Sequence, residues 1–209
     1  MSRQDSIVVV GAGDHALVVV AALQAAGMDV AAVLDDDEEG WGTELLGVAV
    51  SGPIAERLGE GGAAVVAIGD NATRRRVTRG LEARWRAVIH PTAWVHESVE
   101  VGPGAMLMAG AVVQPRAVIG AHAIVNTGAT VDHHCRVGAF AHVAPGAHLA
   151  GRVEVGEGAL VGVGASTIPG VRIGDWATVG AGSAVVHDVP ARVVALGVPA
   201  RVVGPREER

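Results

Sequence analysis

The chain has 209 residues, half of them hydrophobic, and carries a formal net charge of −6. This acidic balance disfavours a nucleic-acid partner. A single cysteine excludes an internal disulfide framework and fits a reducing compartment. The apolar run Ile7–Val10 is too short for a signal peptide or a membrane span. We therefore expect a cytoplasmic protein without membrane insertion.

The first part of the chain alternates strand-like and helix-like segments. Ile7–Val10 is a continuous apolar run of the kind found in buried parallel strands. A helix is predicted over 16–26, with Gly27 as its C-terminal cap. The remaining predictions are strands over 30–34 and 64–68 and a helix over 73–82. This alternation indicates a small parallel sheet of Rossmann type.

A glycine-rich turn, Gly11-Ala-Gly13-Asp14-His15-Ala16, joins the first strand to the first helix. Gly11 and Gly13 would let the backbone approach a diphosphate, and a helix N-terminus favours negative charge. Asp35 or Asp36 lies about 20 residues further on, where a dinucleotide-binding protein contacts a ribose. The motif alone fits NAD-binding folds equally well.

A boundary is expected at His90-Pro91, because a residue before proline avoids the helical region. We predict a first domain over 1–87 and a second over 88–209.

In the second domain, every sixth residue from Val95 to Val185 is aliphatic except Thr167, and these residues form a first column. A second column, two residues before the first, runs from Ala93 to Ser183, contains Cys135 and holds only small or β-branched residues. A sustained hexapeptide period predicts a parallel β-helix of about five triangular coils. Glycines often follow the aliphatic column, where we expect positive φ at tight corners. The aliphatic column comprises Val95, Val101, Leu107, Val113, Ile119, Val125, Val131, Val137, Val143, Leu149, Val155, Val161, Thr167, Ile173, Val179 and Val185.

The sequence contains four motifs: Gly11-Ala-Gly13-Asp14-His15, Ile68-Gly69-Asp70-Asn71-Ala-Thr-Arg74, Val131-Asp132-His133-His134-Cys135 and Gly197-Val-Pro199-Ala-Arg201. Together they resemble the bacterial sugar acyltransferase family of the sialic-acid O-acetyltransferase and nucleotide-sugar N-acetyltransferase type. The resemblance covers nearly the whole chain and implies a small Rossmann-like domain followed by a left-handed parallel β-helix. The implied reaction is transfer of acetyl from acetyl-CoA to the amino group of a nucleotide-linked 4-amino-4,6-dideoxysugar.

His133 is the candidate general base. It lies two places after Val131, at a predicted coil corner where a side chain can point outward. An imidazole titrates in the range needed to take a proton from an attacking amine or hydroxyl. Adjacent strand residues point to opposite faces, so spacing alone does not pair Asp132 with His133. The resemblance implies that pairing, in which the carboxylate would hold the imidazole tautomer.

The acyl-donor site follows from the resemblance, which implies homotrimers with a donor groove between neighbouring prisms. It implies that His142 helps to bind acetyl-CoA and that the Gly151 N–H stabilises the oxyanion. Pro199 would lie beside the CoA adenine, and Arg201 would either meet a CoA phosphate or remain a surface arginine. His142 lies nine residues after His133, half a coil, so within one chain the two should occupy different sides of the triangle.

The nucleotide-sugar site is implied by the same resemblance. It places His15 beside the sugar or phosphate, and Asn71 and Arg74 near the nucleotide. Arg74 suits a diphosphate because a guanidinium makes bidentate bonds, although the run 74–76 also fits a solvated helix face. Asp14 departs from the family, which commonly has glycine there, and this leaves the substrate open.

Other functions fit parts of the sequence. Sugar O-acetylation of the sialic-acid type would use the same scaffold. A gamma-type carbonic anhydrase is a β-helix trimer with histidine-bound zinc, and the chain has nine histidines; such proteins lack a Rossmann-like front domain, and no metal is expected here. Cys135 falls in the small-residue column, which predicts a buried side chain rather than a nucleophile. An inactive scaffolding subunit is the remaining alternative.

Overall fold

The structure is a computed structural model that describes residues 6–58 and 61–207. The chain divides into two compact units, Met1–Pro91 and Thr92–Arg209. The functions assigned to the two predicted domains stay predictions at this point. Within the described residues, no helix is long and apolar enough to cross a membrane.

The first unit contains a six-stranded sheet in the order β3-β4-β2-β1-β5-β6. All neighbouring strands pair in parallel except β3 and β4, which form an antiparallel hairpin. The mostly parallel sheet, with β5 fully buried and β1 buried except at Val8, confirms the predicted Rossmann-like architecture. The strands are β1 (Ile7–Val10), β2 (Val30–Leu34), β3 (Glu44–Leu45), β4 (Val48–Ser51), β5 (Ala63–Val66) and β6 (Arg84–Trp85), and a short strand β7 (Val88–Ile89) follows.

Three α-helices connect these strands: α1 (Asp14–Ala25), α2 (Ile54–Arg57) and α3 (Asn71–Arg79), with a 3₁₀ turn at Glu38–Gly40. Gly27 has φ +68° and its N–H bonds to the Gln24 carbonyl, so α1 ends as predicted. Helix α3 begins two residues earlier than predicted, because the Asp70 carboxylate accepts the Thr73 N–H at 2.8 Å and caps it.

The second unit is a left-handed parallel β-helix. Each hexapeptide forms a strand of two residues that ends on the aliphatic column, and it pairs with the strand 18 residues later. Three parallel sheets result, one for each face of the triangle. The strands are β8 (Trp94–Val95), β9 (Glu100–Val101), β10 (Met106–Leu107), β11 (Val112–Val113), β12 (Val118–Ile119), β13 (Ile124–Val125), β14 (Thr130–Val131), β15 (Arg136–Val137), β16 (His142–Val143), β17 (His148–Leu149), β18 (Glu154–Val155), β19 (Leu160–Val161), β20 (Ser166–Thr167), β21 (Arg172–Ile173), β22 (Thr178–Val179) and β23 (Ala184–Val185).

The two columns form the core of the β-helix. Alanines and valines from both columns, together with Cys135, pack into one buried cluster. A prism built from such small side chains needs no aromatic residue in its centre, which explains the composition. The β-helix ends in an antiparallel pair, β24 (Val193–Leu196) and β25 (Arg201–Pro205).

The glycines that follow the aliphatic column have a different role from the one we expected. Positive φ occurs two residues later, at positions such as Gly104 (φ +70°) and Arg116 (φ +62°). The column-following glycines instead permit close stacking. A Cβ added to Gly138 would lie 2.6 Å from the Glu157 nitrogen and 2.7 Å from the Gly156 carbonyl carbon in the next coil. The prediction of positive φ at the column-following glycines was wrong. Glycine is needed there because the backbone of the next coil leaves no room for a Cβ.

Replacing Gly138 with alanine is therefore expected to destabilise the β-helix. The added methyl meets backbone atoms, which can make room only if the two coils separate locally. We expect a loss of about 1–3 kcal/mol, as for other overpacked sites, measured as a lowered midpoint of thermal unfolding by circular dichroism. Gly204→Ala is the matched control, because a Cβ there meets nothing within 4 Å. Equal midpoints for the two variants would contradict the stacking argument.

Candidate active site

The glycine-rich turn after β1 is held in place by Asp35 at the end of β2. The Ala12 N–H donates to Asp35 Oδ2 at 2.6 Å, and the Asp37 N–H donates to Oδ1 at 2.9 Å. Gly11 has φ +101°, and a Cβ there would approach Ile68 Cγ1 to 2.9 Å. Asp35 thus holds the glycine-rich turn through Oδ2 and its own loop through Oδ1. Its direct contact with a nucleotide stays a prediction.

Arg74 braces the second loop of this unit, which follows β5. Its side chain is fully buried, and Nη1 donates to the carbonyls of Ile68 (2.8 Å) and Gly69 (3.0 Å). Nη2 donates to Asn71 Oδ1 at 2.8 Å. Burial lowers the pKa of Arg74 to about 10, opposed by the Asp70 carboxylate, so the group remains charged near neutral pH. The expectation of a solvated helix face is therefore wrong for Arg74, whereas Arg76 is exposed.

His15 lies between these two loops. A Cβ added to Gly69 would lie 3.7 Å from the His15 Cβ, so the helix start and the second loop are in contact. Burial, and then the charge of Arg74, lower the pKa of His15 to about 4. The imidazole is consequently neutral at physiological pH. The structure brings Gly11, Gly13, His15, Asn71 and Arg74 to the carboxyl ends of β1 and β5, which are neighbours in the sheet.

In the second unit, His133 follows β14 and is half-buried against Gly151. A Cβ added to Gly151 would lie 2.6 Å from His133 Cε1 and 2.7 Å from Nε2. The imidazole therefore covers the Gly151 backbone. Gly151 is itself buried, and its N–H has no acceptor among the residues that the structure describes. The His133 ring and the Gly151 backbone thus lie side by side.

The hydrogen-bond partner of the His133 ring is His134, which the sequence analysis missed. The two Nδ1 atoms lie 3.0 Å apart and the rings meet edge-on at 88°. One nitrogen must donate and the other accept, so the contact links the tautomers of both rings. The pKa of His134 is lowered, first by desolvation and then by the Arg116 and Arg152 guanidinium groups, which favours a neutral partner.

Asp132 binds backbone rather than the ring in this chain. Its Oδ1 accepts the His133 N–H at 2.6 Å, which orients the segment that carries the imidazole. The ring nitrogen Nδ1 contacts His134 and not the Asp132 carboxylate. The carboxylate–imidazole pairing that the resemblance implies therefore stays a prediction.

The implied donor-site residues lie elsewhere on the β-helix. His142 belongs to β16, on a different sheet from β14, and its Nε2 lies 3.0 Å from Asn126 Nδ2. It therefore does not join His133 within one chain, as the half-coil spacing predicted. Pro199 and Arg201 are exposed after β24, and Arg201 Nη1 donates to the Ala200 carbonyl at 3.0 Å. Their roles in CoA binding stay predictions.

Cys135 is buried, as its column position predicted. Burial raises the pKa of its thiol, which disfavours the thiolate that nucleophilic catalysis needs. In the described part of the chain, no three His, Cys, Asp or Glu side chains are grouped closely enough to hold a metal ion.

The family described as PglD N-terminal domain matches residues 6–81. A search of curated proteins found no significant match.

The solved structures similar to this chain cover both units. A histidine-to-alanine variant of GDP-perosamine N-acetyltransferase from Caulobacter crescentus, in complex with CoA and GDP-perosamine, is 43% identical with a TM-score of 0.89, over 95% of this chain and 97% of that one. The acetyltransferase domain of PglB from Neisseria gonorrhoeae, in complex with acetyl coenzyme A, is 37% identical with a TM-score of 0.90, over 96% and 100%. WeeI from Acinetobacter baumannii is 27% identical with a TM-score of 0.82, over 95% and 99%. The chain therefore belongs to the bacterial sugar acyltransferases of the hexapeptide-repeat superfamily and is an acetyl-CoA-dependent sugar N-acetyltransferase.

Proposed function

We propose that this protein transfers the acetyl group of acetyl-CoA to the amino group of a nucleotide-linked 4-amino-4,6-dideoxysugar. The observation that carries the proposal is the His133 ring packed against the backbone of Gly151, whose N–H has no acceptor among the described residues. This contact supports the assignment of His133 as proton acceptor and of the Gly151 N–H as oxyanion donor, the pair that acyl transfer to an amine requires. The similar enzyme with bound CoA and GDP-perosamine supports a nucleotide-linked amino sugar as acceptor.

The reaction is a direct transfer. The sugar amine attacks the thioester carbonyl carbon while His133 takes the proton that the nitrogen loses. The carbonyl oxygen becomes an oxyanion, which the Gly151 N–H stabilises. Collapse of the tetrahedral intermediate breaks the carbon–sulfur bond, and the proton on His133 passes to the departing CoA thiolate. The products are an amide and free CoA, with no acyl group on the protein.

The first unit is proposed to bind the nucleotide sugar. Gly13, the N-cap of α1, would offer its backbone N–H where a diphosphate is favoured. Gly11 would act through its positive φ, which shapes the turn, because its own N–H donates to the Leu34 carbonyl at 2.8 Å. Neutral His15 would hydrogen-bond the sugar or phosphate without adding charge. Arg74 would act mainly by holding the Ile68–Asn71 loop, because its donors already bind that loop.

The second unit is proposed to bind acetyl-CoA and to assemble as a homotrimer. His142, Pro199 and Arg201 would line the donor groove between neighbouring subunits. This accounts for the separation of His142 from His133 within one chain, since the two could meet only across a subunit boundary. The cytoplasmic location expected from the sequence remains part of this proposal.

The test is a free-thiol assay with acetyl-CoA and a panel of acceptors. The panel contains 4-amino-4,6-dideoxysugars linked to GDP, UDP, dTDP or CMP, the matching 4-hydroxy sugars, and sialic acid. We expect acceptor-dependent CoA release with at least one amino sugar and none with its hydroxy counterpart. Preferred release with a hydroxyl acceptor would replace the proposal with O-acetylation. Stoichiometric zinc and CO₂ hydration without CoA release would replace it with a carbonic anhydrase.

A further inference from the structure

The regular hydrogen-bond ladder of the β-helix is interrupted beside His133. In neighbouring coils, the N–H that follows an aliphatic column residue donates to the carbonyl of the column residue 18 positions later, as in Ala144 to Val161 (2.9 Å) and Gly156 to Ile173 (2.7 Å). The Ala150 N–H donates instead to the side-chain hydroxyl of Thr167, at 3.0 Å. Correspondingly, the ladder between β17 and β20 keeps a single pair, whereas the adjacent ladders keep two.

The carbonyl of Ala150 is diverted as well. In comparable turns this oxygen accepts the N–H three residues later, as from Ala147 to Ala144 at 3.0 Å. The Ala150 oxygen is instead bonded by the Cys135 thiol at 3.0 Å. The sulfur thus occupies the place of the ordinary turn bond.

Both substitutes are exceptions in their columns. Thr167 is the one non-aliphatic member of the first column, and Cys135 is the one thiol in the second. They lie on either side of the same residue, one holding its N–H and the other its carbonyl. Two independent departures from the repeat therefore converge on Ala150, directly before Gly151.

Peptide geometry extends this effect to Gly151. The Ala150 carbonyl and the Gly151 N–H belong to one trans peptide plane and point in opposite directions. Because buried Cys135 holds the carbonyl, the Gly151 N–H must point away from Cys135, and the residue at that position is the one covered by His133. The orientation of the proposed oxyanion donor thus depends on Cys135 and, through the adjoining backbone, on Thr167.

We propose that Cys135 and Thr167 are positioning residues that aim the Gly151 N–H at the thioester oxygen. The inference rests on the proposed acetyl transfer, since it assigns these residues a role in the same site. Neither side chain touches the substrate. They act on kcat through the alignment of one hydrogen-bond donor. Loss of a whole oxyanion donor lowers kcat by about 10²–10³-fold, so misalignment is expected to cost about 10–100-fold.

Two pairs of variants test this role. Thr167→Val and Cys135→Ala restore the residue types of their columns, so both should fold with unchanged thermal midpoints. We expect kcat to fall about 10–100-fold in each, with KM for both substrates within about twofold. Thr167→Ser keeps the hydroxyl and Cys135→Ser replaces the thiol with a hydroxyl donor, so both should recover most of the rate. Thr178→Val, which removes a strand hydroxyl in β22, is the matched control and should keep the wild-type rate.

Nuclear magnetic resonance of glycine-labelled protein provides a readout that needs no turnover. The Gly151 amide resonance should shift in Thr167→Val and Cys135→Ala and stay in place in Thr178→Val. An unmoved resonance, or wild-type kcat in both column-restoring variants, would overturn the inference. Equal losses in the valine, alanine and serine variants would also overturn it. If the wild-type protein acetylates no amino sugar, the proposed function fails, and the amide resonance alone then decides whether the two side chains orient Gly151.

Discussion

The His133→Ala variant is expected to lose acetyl transfer by about 10²–10⁴-fold in kcat, because no other group takes the proton from the attacking amine. The side chain is half-buried and lies outside the core cluster, so the fold should be retained. Steady-state rates from the thiol assay give kcat, and calorimetry gives the affinity for CoA. We expect an unchanged CoA affinity, since the ring acts on the acceptor.

His187→Ala is the matched control for this prediction. His187 is exposed on the same unit and is outside the proposed site, so its loss should leave kcat unchanged. If His133→Ala retained a rate within a few-fold of His187→Ala, His133 would not be the base. A loss of the folded state in His133→Ala would likewise contradict the position described for its side chain.

Gly151→Ala is expected to have an effect of similar size through geometry alone. The added Cβ would lie 2.6 Å from His133 Cε1 and 3.2 Å from Nδ1, so the ring must move. Displacement of a catalytic group by about 1 Å costs about 10²-fold. Gly151 does not have positive φ, so alanine introduces no backbone strain there. We expect a fall in kcat of about 10²-fold with an unchanged unfolding midpoint.

The steric cause can be separated from any general effect of a new methyl group. Gly204→Ala adds the same group where nothing lies within 4 Å and should leave both kcat and stability unchanged. Wild-type kcat in Gly151→Ala would mean that the His133 ring does not rest on the Gly151 backbone in the working enzyme.

The β-helix is predictable from the sequence because each hexapeptide repeats the same packing problem. Every strand of the repeat ends on its aliphatic column residue, from Val95 to Val185. The role of the column-following glycines was predicted wrongly because a sequence does not distinguish a glycine needed for positive φ from one needed for close backbone approach. Gly138 serves close approach, while positive φ falls on other glycines such as Gly104 and on non-glycine residues such as Arg116.

The first unit was predictable where apolar runs mark buried strands and less so at its edge. The hairpin of β3 and β4 escaped prediction because its turn residues are Leu46 and Gly47, both with positive φ. Leucine is unusual in such a turn, where asparagine or aspartate before glycine is the common signal. Helix α3 was placed late because Asp70 was not recognised as its cap.

The candidate site could be located from sequence but not assembled in detail. In a strand, adjacent side chains point to opposite faces, but this alternation does not hold at a coil corner. His134 has positive φ there, and its ring meets the ring of His133. The contacts that hold Ala150 join residues 15 and 17 positions apart, which no local pattern reveals. The sequence nevertheless marks both residues, because Thr167 is the non-aliphatic member of the first column and Cys135 is the thiol in the second.

The chemical structure of the reaction product tests most directly the claim that this protein transfers acetyl from acetyl-CoA to the amino group of a nucleotide-linked sugar. The protein is incubated with acetyl-CoA and the preferred nucleotide-linked 4-amino sugar, and the product is analysed by mass spectrometry and nuclear magnetic resonance. Direct transfer to nitrogen predicts one acetyl group per sugar, held as an amide on the 4-nitrogen, with one CoA released for each. An acetyl ester on a sugar hydroxyl, or CoA release without an acetylated sugar, would contradict it.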